Sequence, residues 1–287
     1  MKPLRLFLSF LALVRYVRAG TTLARHLLPV SAWRKSSRHK LVAGDARCFR
    51  ESALRGDSDP LLCEVGAEVS ASLPNVLKRK ELFEAFAVAE LVQKHFPHGP
   101  SLVAEICAGC GLLAIFLALL DRRRHVRCVD RQQWPIAERL LNCLARRWPS
   151  LRVRVQYEVR DIRAGVALPR DCLVVSCHAC GFLSDDVLAT AVADGSHRPL
   201  LLLPCCYLVR PKIPDHDQLW RPGWSWQRWP WLERGATNTR GPAAIDAARA
   251  AHLRRLGYRV RSDSIDRAIT ERNAALVATP CDEPVGP

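Results

Sequence analysis

Apolar and polar residues alternate along the chain in two rhythms. From Pro74 to Phe96, Leu77, Phe83, Phe86, Ala87 and Leu91 follow mostly three- and four-residue steps, which predicts a helix. His95–Pro100 (HFPHGP) breaks it. Leu102–Ile106 is then an apolar run of strand length, and Ala108, Gly109, Cys110 and Gly111 form a turn of small residues. Leu112–Leu120 is apolar almost all round, the pattern of a helix buried against a sheet. The rhythm continues with a strand at His125–Val129 ending on Asp130, a helix at Ile136–Trp148 and a strand at Val153–Val159. Further strands are expected at Cys172–Cys177 and Pro199–Leu203. The tail reads as a helix at Ala243–Leu256 stopped by Gly257, then strands at Tyr258–Arg261 and Ala274–Ala278. Strands alternating with helices predict an α/β fold with helices on both faces of the sheet.

Two stretches stand outside this alternation. Residues 1–73 read as a basic, partly helical N-terminal extension, with twelve Lys/Arg and four Asp/Glu in the first sixty residues. Within it, Leu6–Val14 is apolar, follows Lys2 and Arg5, and is too short to span a bilayer. Arg15 and Arg18 follow it, and it lacks a small-x-small cleavage site. It reads as an amphipathic helix packed on the domain, with a targeting or membrane-surface role as the alternative. Trp33–Lys40 (WRKSSRHK) is a basic patch able to contact phosphates or to face solvent, and Gly56–Pro60 is a linker or turn. The second stretch, 210–241, places Trp220, Trp224, Trp226, Trp229 and Trp231 among Arg221, Arg228 and Arg234. It reads as an insertion that packs as a lid over the site, some rings facing substrate.

Composition narrows the partners. The formal net charge is +15, which suits a polyanion such as RNA, although charge speaks to association and not to chemistry. Twelve cysteines, several in expected strands, do not make the framework of a small secreted domain, so a reducing cytoplasm is expected. No stable membrane insertion is expected.

The chemistry gathers at strand ends, where open α/β sheets bind ligands. Glu105 lies near the end of the first strand, before Ala108-Gly109-Cys110-Gly111. Asp130 ends the second strand and could accept both hydroxyls of a ribose, or simply cap a turn. Asp161 follows the third strand, where a carboxylate could accept from an adenine amino group or stand on the surface. Cys177-His178-Ala179-Cys180-Gly181 follows the fourth strand and Cys205-Cys206-Tyr207 the fifth.

The acidic strand end followed by A-G-x-G resembles the first motif of class I S-adenosylmethionine-dependent methyltransferases, with Cys107 where the first glycine of that motif stands. H-A-C-G after the fourth strand, C-C-Y after the fifth and Ile269-Thr270-Glu271-Arg272-Asn273 are similar to a subgroup of that superfamily. The subgroup includes the methyltransferase module of glutathione S-transferase C-terminal domain-containing proteins and the ribosomal RNA adenine dimethylase domain-like proteins. It has relatives among tRNA 2′-O-methyltransferases. The resemblance spans roughly Leu77 to Thr279, so residues 74–280 are expected to form the methyltransferase domain. It implies a Rossmann-like seven-stranded sheet whose last strand is antiparallel, with S-adenosylmethionine as cofactor. Glu105, Ala108, Gly109 and Gly111 would hold its methionine side, Asp130 its ribose and Asp161 its adenine. His178, Cys180 and Cys206 would border the reacting methyl.

Other readings stay open. Cys107/Cys110 and Cys177/Cys180 are C-x-x-C pairs that could hold structural zinc, although they leave separate strands. Cys180 or Cys206 could act as a nucleophile, and His178 as a base or an orienting group. RNA is the expected acceptor. The alternatives are a protein or small-molecule acceptor, or a non-catalytic RNA-binding protein with the same fold.

Overall fold

A computed structural model describes residues 30, 33, 35–204 and 242–281. The segment Leu6–Val14, Arg34 of the basic patch, Cys205, Cys206, Tyr207 and the Trp-rich stretch 210–241 lie outside the described residues. The chain divides into two compact units, residues 1–82 and 83–287.

In the first unit, α1 (Asp45–Arg55) and α2 (Pro60–Ser72) pack together, two helices that the periodicity argument did not single out. Gly56 ends α1 in the left-handed conformation, its N–H on the carbonyls of Ser52 and Ala53. Asp59 caps α2 by accepting from the Leu61 and Leu62 N–H groups, with Pro60 in the first turn. GDSDP is therefore one helix stop joined to one helix start. The basic patch begins in a core: Trp33 is buried, edge-on to Phe49 at 5.1 Å, with the Arg79 guanidinium 3.9 Å from its ring centroid. Arg79 also pairs with the buried Asp45 at 2.9 Å. Arg38, His39 and Lys40 of the patch are exposed.

The helix α3 (Arg79–His95) begins in the first unit, and in the second it leads into β1 (Leu102–Ile106), α4 (Leu112–Leu120) and β2 (His125–Asp130). Next come α5 (Pro135–Ala145), the single turn α6 (Leu151–Arg154) and β3 (Val155–Val159). Then β4 (Leu173–Cys177), α7 (Leu183–Ala191) and β5 (Leu200–Leu203) follow, and after the undescribed stretch α8 (Pro242–Arg255), β6 (Tyr258–Ser264) and β7 (Ala274–Pro280). The seven strands form one sheet in the order β3-β2-β1-β4-β5-β7-β6. The pairings from β3 through β5 are parallel, and β7 runs antiparallel to both β5 and β6. This is the expected architecture, antiparallel last strand included. Every residue of α4 from Leu112 to Ala118 is buried, as its unbroken apolar pattern required. The third strand starts later than expected. Val153 and Arg154 belong to α6, because the Ser150 carbonyl accepts from both of their N–H groups and the Arg154 guanidinium returns to Ser150 Oγ at 2.8 Å.

A buried ion pair ties α8 to α7. Arg249 (2% exposed) donates to both oxygens of Asp185 (0% exposed), at 2.9 and 2.8 Å, and to the Gly181 carbonyl at 3.3 Å. Among the described residues no helix is long and apolar enough to cross a membrane.

Removing one partner of such a pair leaves a bare charge in the core, a loss of about 3–5 kcal/mol. Arg249→Met is expected to lower the urea midpoint accordingly, and adding Asp185→Leu should recover most of the loss. Equal midpoints for wild type and the single variant would deny the pair any weight.

Candidate functional site

The sheet order reverses between β1 and β4. From β1 the chain winds outward through β2 and β3, and from β4 it turns the other way to β5. A crevice opens beyond the carboxyl ends of strands at such a point. Residues 107–111 leave β1 on one side of it and residues 177–181 leave β4 on the other. The β1–β4 pairing stops at Glu105 and Val175, and the Ile106 carbonyl beyond it accepts from Ser176 Oγ at 2.7 Å.

The turn after β1 is built from left-handed residues: Cys107 at φ 60°, Gly109 at φ 56° and Gly111 at φ 71°. The two glycines adopt this region freely, whereas Cys107 does so at a cost of about 1–2 kcal/mol. The expected departure from the glycine motif is thus real in sequence and absent in backbone shape. A methyl group built on Gly109 would meet nothing within 4 Å. Asp130 at the end of β2 accepts the Gly109 N–H at 2.9 Å, and the Tyr157 hydroxyl donates to the Gly109 carbonyl.

Glu105 is 3% exposed, and its Oε2 accepts the Ala114 N–H at 3.0 Å, with Cys128 Sγ at 3.8 Å. Burial raises its pKa to about 8, against the pull of those two hydrogen bonds. Asp161 caps the short 3-10 turn Ile162–Ala164 and is paired with the Arg163 side chain, which holds its carboxyl below the usual range. Next to it opens a cavity of about 470 Å³, lined by Ile162, Arg163 and Val166 on one side and by Asp186, Ala189 and Thr190 on the other. The glycine turn does not line this cavity.

Across the crevice, His178 sits at φ 71°, a second non-glycine residue in the left-handed region. Its N–H extends the β4–β5 pairing to the Leu203 carbonyl at 3.0 Å, and Ser184 Oγ donates to the Ala179 carbonyl at 2.7 Å. His178 Nε2 meets Glu84 Oε2 at 2.7 Å. Burial alone would lower the His178 pKa, but Cys177 and the Glu84 carboxylate outweigh it and raise the value to about 11. Burial pushes the Cys177 thiol up, with His178 pulling it back.

The turn, Asp130, Asp161 and Cys180 form one neighbourhood. Burial first, then the charges of Asp130, Asp186, Cys180 and Asp161, raise the Cys107 thiol to about 12. Cys206 lies outside the described residues. Glu84 was not singled out by sequence reasoning, and Cys177 was read only as half of a C-x-x-C pair. The available signal for Glu84 was an acid set among Phe83, Ala85 and Phe86 in an amphipathic helix, all of which are buried. Two of the cations nearby in sequence are engaged internally, Lys78 with Glu81 at 3.1 Å and Arg79 with Asp45. No disulfide links the described cysteines, and no group of three or more His, Cys, Asp or Glu among the described residues is placed to hold a metal ion.

The model of a methyltransferase-domain family matches residues 78–209. No curated protein matches the sequence. Among solved structures, a protein from Corynebacterium glutamicum is similar at 17% identity and TM-score 0.43, over 84% of this chain and 100% of that one. A putative S-adenosyl-L-methionine-dependent methyltransferase from Methanococcus maripaludis is similar at 11% identity and TM-score 0.40, over 87% of this chain and 98% of that one. Magnesium protoporphyrin IX methyltransferase from Synechocystis, with bound SAH, is similar at 16% identity and TM-score 0.37, over 68% and 80%.

The buried carboxyl makes a pH prediction. Glu105 has a pKa of about 8 folded against 4.5 for an ordinary glutamate, so folding favours its protonated form. The stability this contributes is complete below pH 4.5 and is lost as pH rises to about 8. The stability difference between wild type and Glu105→Gln, from urea midpoints at stepped pH, should fall across that window and level off above it. Parallel curves would contradict the burial argument.

Proposed function

We propose that this chain, whose residues 78–209 carry a methyltransferase domain, is an S-adenosylmethionine-dependent enzyme that methylates RNA. The observation that carries the cofactor part is the row of acceptors at one sheet edge. Glu105, Asp130 and Asp161 sit at the ends of β1, β2 and β3 or just beyond them, around a turn with open space over Gly109.

These residues fit the group. A nucleoside with an amino-acid tail brings an ammonium, two ribose hydroxyls and an adenine amine, all donors, to three carboxyl side chains. Glu105 would take the ammonium, whose charge compensates the burial of the carboxylate. Asp130, already fixed by the Gly109 N–H, would take the ribose hydroxyls. Asp161, beside the 470 Å³ cavity, would take the adenine amine. Ala108, Gly109 and Gly111 would let the backbone lie against the methionine side. When bound, S-adenosylmethionine supplies a methyl group on a positively charged sulfur.

The acceptor side would be the opposite rim, with His178 and Cys180 after β4, and Cys206 is assigned to it from its place in the sequence alone. Catalysis there is chiefly placement, since holding an acceptor in line with the methyl removes much of the barrier. RNA is the acceptor because the chain carries a net charge of +15, which draws a polyanion. With its excess of cysteine and of positive charge, the chain is read as a cytoplasmic RNA-modification enzyme.

Calorimetry with S-adenosylhomocysteine should give micromolar binding. Gly109→Ala should weaken it by about tenfold or more, a loss of ~1.4 kcal/mol, because the added methyl enters the open space above the turn. The midpoint of unfolding should shift by only ~1 kcal/mol, the conformational cost at positive φ. Affinity unchanged in the variant would remove the turn from the cofactor site.

With tritiated methyl donor, label is expected in cellular RNA, and RNA affinity should fall steeply with salt. Label in a protein or small-molecule fraction instead would reassign the acceptor. RNA binding without any transfer would favour the non-catalytic reading.

A further inference from the structure

Glu84 belongs to the middle of α3, is 3% exposed, and reaches the end of a different element, the loop after β4. Its partner His178 holds an uncommon backbone conformation, φ 71°, and its side chain is 36% exposed. A buried carboxylate 2.7 Å from a ring nitrogen sets both the orientation and the charge of that ring. The open face of His178 lets water share the cost of keeping it charged, which a fully enclosed imidazole lacks.

Burial keeps the Cys177 thiol protonated at neutral pH, so the pairing with Glu84 is the contact that sets the ring. From α3 the ring faces Glu84, and from β4 it faces Cys177. Glu105 of β1 is the next acid along, near Cys177, and its own pKa of about 8 leaves it mostly protonated at neutral pH.

We propose that Glu84 is a positioning residue of the acceptor rim: through its bond to Nε2 it holds His178 as an imidazolium, so that His178 meets the acceptor as a fixed positive charge and not as a base. The ion pair stands on geometry alone, and only its role beside an acceptor rests on the methyl-transfer reading. A fixed cation at that rim fits an acceptor with phosphate groups near the reacting atom. It removes His178 from the role of proton acceptor in the pH range of the cell.

The test uses the full-length protein with two readouts. The first is nitrogen-15 correlation of the histidine rings from about pH 5.5 to 9 in wild type, Glu84→Gln and Glu84→Asp. Wild-type His178 should stay doubly protonated throughout, and Glu84→Gln should titrate at or below the ordinary histidine value. Glu84→Asp should lie between them. Wild-type His178 titrating near pH 6.5 would overturn the proposal, whatever the enzyme does.

The second readout is methyl transfer to the labelled RNA fraction, with S-adenosylhomocysteine affinity measured alongside. Glu84→Gln should lower kcat/KM about tenfold with cofactor affinity held within about twofold, and Glu84→Asp should recover part of it. An equal loss in cofactor affinity would move Glu84 to the cofactor pocket and overturn its placement at the acceptor rim. If no fraction accepts methyl, the functional reading fails while the ring titration still decides the ion pair. Thermal midpoints of all variants separate either effect from unfolding.

Discussion

The carboxyl group of Glu105 is buried in β1, a strand paired on both sides. Burying an acid there is costly unless it gains a hydrogen bond. The start of α4 has the opposite need, because the first N–H groups of a helix lack partners within it. The bond from the Ala114 N–H to Glu105 meets both needs at once and fixes how the helix begins relative to the strand. Only residues 107–111 are left to join them, and so short a reversal demands left-handed backbone. The turn in turn presents the Gly109 N–H to Asp130 on the next strand. One solvation problem thus sets the strand, the turn, the helix and the second carboxylate.

Much of this was legible in the sequence, for a physical reason. Strands enclosed on both sides are short apolar runs bounded by turn residues, and β1, β2, β4 and β5 all read that way. The acids at their ends stood out because nothing else at a buried strand end is charged. The elements that escaped are those whose logic is not local. Ser184, Asp185 and Asp186 look like a polar loop, yet they begin α7 and are buried. The residue that makes Asp185 tolerable there is Arg249, sixty-four positions further on. Glu84 escaped in the same way, its partner being at the far end of β4. Val153 and Arg154 escaped because alternation cannot distinguish a strand from one tight turn closed by a serine.

The two rims of the crevice share a less visible property. Cys107 on one side and His178 on the other occupy backbone conformations that glycine would adopt without cost. At Cys107 the turn keeps the shape that the glycine motif calls for, so the chemical departure there adds a thiol without altering the path. At His178 the conformation is held by two bonds, to Leu203 through its N–H and to Glu84 through its ring. Local strain persists only where surrounding contacts over-determine it, and at His178 these two bonds meet that condition next to the crevice.

The lock between Arg249 and Asp185 has a further consequence for the Trp-rich stretch. The chain leaves the sheet at β5 and re-enters the described fold at α8, and Arg249 binds α8 to the helix that precedes β5. Both ends of residues 205–241 are therefore moored independently of what lies between them. The ion pair, and not chain connectivity alone, is what fastens α8 to α7 across that interval.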